Sequence, residues 1–331
     1  MLLFLCGLSA HYPLWFLALI WPVAAVLAVL LDRLLGEPAR FHPLVGFGRY
    51  ASWLERHLNR GERRLWRGCL ALLLALLPLS LIGLALFWLA QQSLWGWLLA
   101  EVLVLYSCIG WQSLKQHVLA VEQALNSGDL PLAQQKLSWI VSRSTGGLDE
   151  NEVAQADIES LLENSSDALF ASLFWFALGG GIAALLHRWV NTLDAMWGYR
   201  NERFNLFGRW AARMDDALAF WPARITALAF ALVSGRYVLA ALRCWREQAH
   251  ACSSPNGGVV MTTGAGALNV RLSARACYHG EWKQKPPMGC GRSAQTADIR
   301  RGVALVSRAL WLLLLSWLAL FWLPFLLGNL I

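Results

Sequence analysis

The sequence predicts an all-α polytopic membrane protein: one integral-membrane domain over 1–331, with about four transmembrane helices, further re-entrant or interfacial helices and a Gly-rich loop region. Three observations lead there. Hydrophobic residues make up 57% of the chain and charged residues only 15%, where a soluble domain carries about 25% charged. Uncharged apolar runs of spanning length recur along the chain. The 19 Trp suit a protein with many interfacial anchoring positions.

Each span follows from the need for about 20 mostly apolar residues to cross the hydrocarbon core. Runs at 14–31, 69–90 and 309–327 meet that need, with Pro78 as a kink in the second. A fourth run, 93–111, encloses Glu101. An intramembrane carboxylate is a functional candidate, although a Glu bonded inside the helix bundle explains it better. The stretch 168–186 holds Gly179, Gly180 and Gly181 in a row, which breaks a helix or lets backbones approach. The stretch 225–235 is too short to span.

Orientation follows from arginine. Residues 33–67 carry eight Arg against three acidic residues, which places that loop in the cytoplasm. Were 168–186 also to cross, Arg188, Arg200, Arg203, Arg209 and Arg213 would be stranded outside. It is therefore read as re-entrant or buried, with 33–67 and 112–308 as the cytoplasmic catalytic regions. The expected location is the cell (inner) membrane, multi-pass, with the active site facing the cytoplasm. The segment 253–293, rich in Gly and turn residues, reads as long loops.

The formal charge of +7 fits contact with the lipid bilayer. Nucleic acid is excluded as a partner, since no basic helix interleaved with stacking aromatics occurs. Seven cysteines, none in a Cys-x-x-Cys pair, argue against a disulfide framework and a structural zinc site. The apolar N-terminus continues past signal-peptide length and reads as a retained span.

The chemistry-bearing residues begin with an acidic run. No Lys or Arg occurs between Ser144 and His187, while carboxylates accumulate. On a helix over 154–167, Glu159, Glu163 and Asp167 recur every four residues on one face. Like charges so placed repel, and a cation such as Mg²⁺ with phosphates relieves them. A solvated acidic face is the plainer alternative. Next come Asn191 and Asp194, three apart, then Tyr199 and Glu202, Arg213 with Asp215 and Asp216, and Arg224. Carboxylates interleaved with Arg suit a site where metal and guanidinium share phosphate charge; interfacial salt bridges would look the same. The Ser253-Ser254-Pro255-Asn256 stretch reads as a turn whose free N–H groups could cradle an anion. No Walker motif, nucleophile elbow or dinucleotide fingerprint is present.

Together these segments resemble the adenosylcobinamide-phosphate synthase (CobD/CbiB) family of cobalamin biosynthesis. The resemblance rests on LDRLLGEP at 31–38 with His42-Pro43, KLSWIVSR at 136–143 with Thr145, and Glu159, Glu163, Asn164 and Asp167. It continues through VNTLD at 190–194, GYRNER at 198–203, Arg213, Asp215, Asp216 and Arg224, and SSPN at 253–256. It implies an Mg²⁺- and ATP-dependent carbon–nitrogen ligase, with ATP as a substrate, joining adenosylcobyric acid to aminopropanol or its phosphate. Other membrane enzymes of the corrinoid pathway are implied partners.

By this resemblance Glu159, Glu163, Asp167, Asp194 and Asp215 are the catalytic set, with Glu163, Asp167 and Asp194 as metal ligands. Asp32, His42, Arg143, Thr145, Asn164, Asn191, Tyr199, Glu202, Arg213, Asp216, Arg224, Ser254 and Asn256 are the substrate- and phosphate-binding set. The chain departs from the family at Ser144 and Met261, where the family carries carboxylates in loops beside the site. A non-catalytic, sensor-like membrane relative is the alternative those losses suit. A membrane prenyltransferase would need a second aspartate-rich motif and more spans.

Overall fold

The computed structural model describes residues 14–38, 42–272, 275–278 and 281–328, and they are nearly all helical. Four helices are long and apolar enough to cross a membrane: Arg64–Gln92, Leu94–Asn126, Glu150–Trp197 and Thr296–Leu320. Three of them carry the predicted runs 69–90, 93–111 and 309–327, and the fourth carries 168–186. The run 14–31 lies in helix α1 (Leu14–Leu35). The chain packs as two compact units, one of Met1–Gly110, Asp167–Ala219 and Leu314–Ile331, the other of Trp111–Ser166 and Phe220–Leu313.

In the first unit, α1 is followed by α2 (Pro43–Leu58), α3 (Arg64–Leu76), α4 (Pro78–Gln92) and α5 (Leu94–Cys108). Pro78 lacks an N–H to continue α3 and instead occupies the first turn of α4, so the predicted kink is present. Ser93 caps α5 by accepting the Gly96 N–H. Trp21 binds the bundle together: its ring lies 5.3 Å from both Trp97 and Phe176, and its Nε1 donates to the Phe176 carbonyl at 3.0 Å.

Helix α9 (Ala171–Trp197) bends where the glycines stand, with Gly180 at φ 70°, ψ −163°. Only glycine adopts that conformation without strain. The bend releases the Gly181 N–H, which donates to Glu101 Oε2 at 2.6 Å. Glu101 is 3% exposed. Its place inside the bundle is therefore the structural one expected: it closes a broken helical turn.

The second unit holds α6 (Trp111–Asn126), α7 (Leu130–Leu137) and α8 (Glu150–Ser165). A full capping box of Asp149 and Glu152 starts α8. Helix α10 (Arg209–Leu232) contributes its second half, followed by α11 (Val238–Gln248) and α12 (Pro255–Leu268). Short strands β1 (Val270–Arg271) and β4 (Arg292–Ser293) pair in parallel, while β2 (Arg275–Tyr278) and β3 (Glu281–Gln284) form a hairpin. The first part of α13 (Thr296–Gly328) completes the unit.

Here the structure corrects the sequence reading. The segment 253–293 is not all loop, because α12 occupies its first part and every residue from Asn256 to Leu268 is buried. Ser254 is its N-cap and Pro255 its first residue, a helix-start signal. The glycines serve packing instead of turning: a Cβ on Gly264 would lie 2.5 Å from Leu162 Cδ2. Met261, expected in a loop, lies buried in this helix.

Candidate active site

Two polar clusters arise, one in each unit. In the first unit the helical turns of α9 beyond the glycine bend present Arg188, Asn191 and Asp194 at three-residue spacing, on one face. Arg188 donates to Asn191 Oδ1 at 3.2 Å, and Asn191 donates to Asp215 Oδ1 on α10 at 3.3 Å. Burial and the neighbouring charges of Asp194 and Asp216 push the Asp215 carboxyl up to about 7, against the Asn191 hydrogen bond and the Arg188 charge. Burial raises Asp216 as well, while Arg200 draws it back. Three crowded carboxylates facing the guanidinium groups of Arg188 and Arg200 form a set that a further cation would relieve.

In the second unit, Glu159 of α8 is 4% exposed. It accepts from Arg143 at 2.7 Å and from Lys285 at 2.5 Å. One turn on, Glu163 lies against the start of α12, where a Cβ on Gly257 would stand 2.5 Å from its Oε1 and 3.2 Å from Ser254 Oγ. Asn256 Oδ1 accepts from Arg224 at 3.1 Å. The same guanidinium donates to the Phe220 carbonyl and stacks 3.4 Å from that ring; burial lowers its pKa. Two carboxylates, Glu159 and Glu163, thus stand with Arg143, Lys285, Arg224 and the capped N-terminus of α12 in the second unit.

Helix α8 ends at Ser165, and residues Ser166–Phe170 form a π-helical turn, so Glu159 and Glu163 stand in the α-helix and Asp167 in the turn that follows it. Of the expected metal ligands, Glu163 belongs to the second unit, and Asp167 and Asp194 to the first. Among the described residues no three His, Cys, Asp or Glu side chains converge as a metal shell. An Mg²⁺ that keeps its waters and arrives on phosphates needs only one or two carboxylates, which the Asp194–Asp215–Asp216 set supplies.

The other predicted residues divide by burial. Asp32 and Thr145 are buried. His42 caps α2, its Nδ1 accepting from the Leu44 N–H, and Asn164 donates to Ser160 Oγ. Tyr199, Glu202 and Arg213 are exposed. The sequence reading missed Lys285, 126 positions from its partner Glu159. Nothing local marks it, because an ion pair between distant residues leaves no spacing signal.

These features define a helical membrane protein with partly buried carboxylate–guanidinium clusters. The family described as CobD/Cbib protein matches residues 25–306. The cobalamin biosynthesis protein CobD of Chromobacterium violaceum is 50% identical over 293 residues, 86% of this chain and 92% of that protein. That of Stutzerimonas stutzeri is 51% identical over 292 residues, 87% and 94% of the two chains. That of Mycobacterium tuberculosis is 36% identical over 286 residues, 86% and 90%. No solved structure matches. The chain belongs to the CobD/Cbib family of cobalamin-biosynthesis proteins.

Proposed function

We propose that the chain is the amide-forming ligase of its pathway. It would join the free propionate of adenosylcobyric acid to aminopropanol or its O-phosphate, with ATP as co-substrate. The carrying observation is the Arg188–Asn191–Asp215 relay flanked by Asp194 and Asp216. A carboxylate is a poor acyl donor, so its oxygen attacks the γ-phosphorus of ATP and ADP leaves. The amine nitrogen then attacks the acyl carbon of the resulting acyl phosphate, phosphate departs, and the ammonium proton passes to a carboxylate base.

Asp215, buried and held by Asn191, is the candidate base, and Arg188 is the guanidinium placed to accept phosphate charge. Mg²⁺, held by Asp194 and Asp216, would neutralise the phosphates. In the second unit, the N-terminus of α12 with Arg224 and Asn256 offers a separate set of donors for phosphate. Cytoplasmic placement of these groups follows from the Arg-rich 33–67 loop.

The test is to incubate purified protein with adenosylcobyric acid, Mg·ATP and aminopropanol phosphate, and to follow ADP and amidated corrinoid together. Stoichiometric formation of both supports the ligase. Absent turnover in the wild type that returns in the Ser144→Asp, Met261→Glu double variant would make this chain the non-catalytic relative.

A further inference from the structure

Away from both clusters, the first unit has a pocket of about 550 Å³ lined by Glu55, Arg56, Asn59, Arg60, Arg64, Glu202 and Arg203. Four guanidinium groups face two carboxylates there. One carboxylate is already spent: both Glu55 oxygens accept from Arg203, at 3.1 and 2.8 Å, and Oε1 also takes Asn59. Arg64 uses Nη1 on the Glu202 carbonyl and Nε on the Gly61 carbonyl, and Arg60 uses its Nε on the Arg56 carbonyl. Each guanidinium has five N–H donors, so most of those around the pocket are left for a ligand. The pocket is thus a concave, net-positive surface rich in forked donors, the geometry that suits phosphate oxygens.

Its depth and neighbour indicate the source of that phosphate. Arg64 opens α3, and the apolar run of the Arg64–Gln92 span begins at Cys69, about 7.5 Å further along the axis at 1.5 Å per residue. That distance places the arginines in the headgroup layer. Trp66, between them, is 70% exposed and sits where interfacial aromatics anchor. An adjoining pocket of about 280 Å³ shares Glu55, Arg56 and Arg203 but is walled by Met196, Trp197 and Phe204. A polar cup beside an apolar one fits an amphiphile better than a free ion.

We propose that this double pocket binds one anionic phospholipid, its phosphate on Arg56, Arg60 and Arg64 and its glycerol–acyl junction against Met196, Trp197 and Phe204. The site shares no residue with the two clusters on which the ligase reading rests. It is tested on the full-length protein in detergent by titrating phosphatidylglycerol or phosphatidylcholine of matched chains and counting retained lipids by native mass spectrometry. Phosphatidylglycerol is expected to bind at least about tenfold more tightly. At about fivefold per basic residue, Arg56→Ala with Arg60→Ala lowers that affinity roughly 25-fold. The Arg56→Lys, Arg60→Lys pair keeps most of it, and Arg308→Ala in the second unit leaves it unchanged. The variant side chains at 56 and 60 are exposed, and an unaltered melting curve confirms the fold. Equal binding of the two lipids, an equal loss in Arg308→Ala, or displacement of phosphatidylglycerol by millimolar inorganic phosphate overturns the proposal.

Discussion

Glu159 lies 2.7 Å from Arg143 and 2.5 Å from Lys285, and it is buried with Arg143. Removing one member of a buried pair leaves an uncompensated charge, at about 3–5 kcal/mol. Arg143→Met is expected to approach the lower figure, because Lys285 still faces Glu159; Lys285→Met, at a more exposed group, should cost less. Chemical denaturation of both variants in detergent checks the order. Asp215 differs: its hydrogen bond comes from the Asn191 amide, and burial with the charges of Asp194 and Asp216 outweighs the Arg188 charge. Asp215→Asn should reduce ligation by roughly 10²-fold or more while leaving the melting temperature at or above that of the wild type, since a repelled charge is removed. A large fall in melting temperature would assign Asp215 to the fold instead. Glu55 supplies the pH-dependent case. Burial alone would raise its pKa, but hydrogen bonds from Arg203 and Asn59 and the charges of Arg203 and Arg56 outweigh burial and hold it below the ordinary value. A depressed carboxylate stabilises the fold above the unfolded-state pKa and loses that contribution as pH falls through the folded value. The stability advantage of wild type over Glu55→Gln should therefore be present at pH 7 and vanish below the ordinary carboxylate range, as thermal melts at stepped pH would show.

At the scale of elements, two glycine-bearing helices behave differently for physical reasons. In α9 the bend at Gly180 frees an N–H that the Glu101 carboxylate receives. In α12 the glycines stay helical and let α8 close in, with Leu162 over Gly264. Gly264→Ala should overpack that contact and cost about 1–3 kcal/mol. Because the contact is a side-chain tip, Leu162→Ala in the same molecule should recover part of the loss, giving a non-additive double-mutant cycle. Additive losses would mean that the two positions do not touch. The α12 helix was legible in one respect: Ser254-Pro255 is a cap followed by a first-turn proline. Its Gly257-Gly258 step and later Gly264 and Gly266 outweighed that signal, since glycine lowers helix propensity wherever no packing compensates. The π turn at Ser166–Phe170, which holds Asp167, left no comparable mark.

For the whole molecule, the open structural question is the path of Glu150–Trp197 relative to the membrane. Arg188, Arg200, Arg203, Arg209 and Arg213, which follow 168–186, favour a cytoplasmic position for 198–208. A cysteine at Asn205 should therefore resist a membrane-impermeant thiol reagent in intact cells, judged in a background that lacks the native cysteines. Labelling from outside would make α9 a full crossing. The apolar runs, the proline break at Pro78, the arginine bias and the residue types of the site could all be read from the chain. Each depends on local hydrophobicity or on near-neighbour spacing, which a linear sequence records. The pairing of Lys285 with Glu159, the division of the acidic residues between two units and the burial of α12 could not be read in that way. They depend on which distant surfaces close-pack, and the free energy of an ion pair or a glycine contact belongs to both partners at once. Sequence alone therefore specified the bilayer-crossing character and the chemical inventory, whereas tertiary packing decided which carboxylates are neutralised by arginine and lysine and which are left crowded against one another.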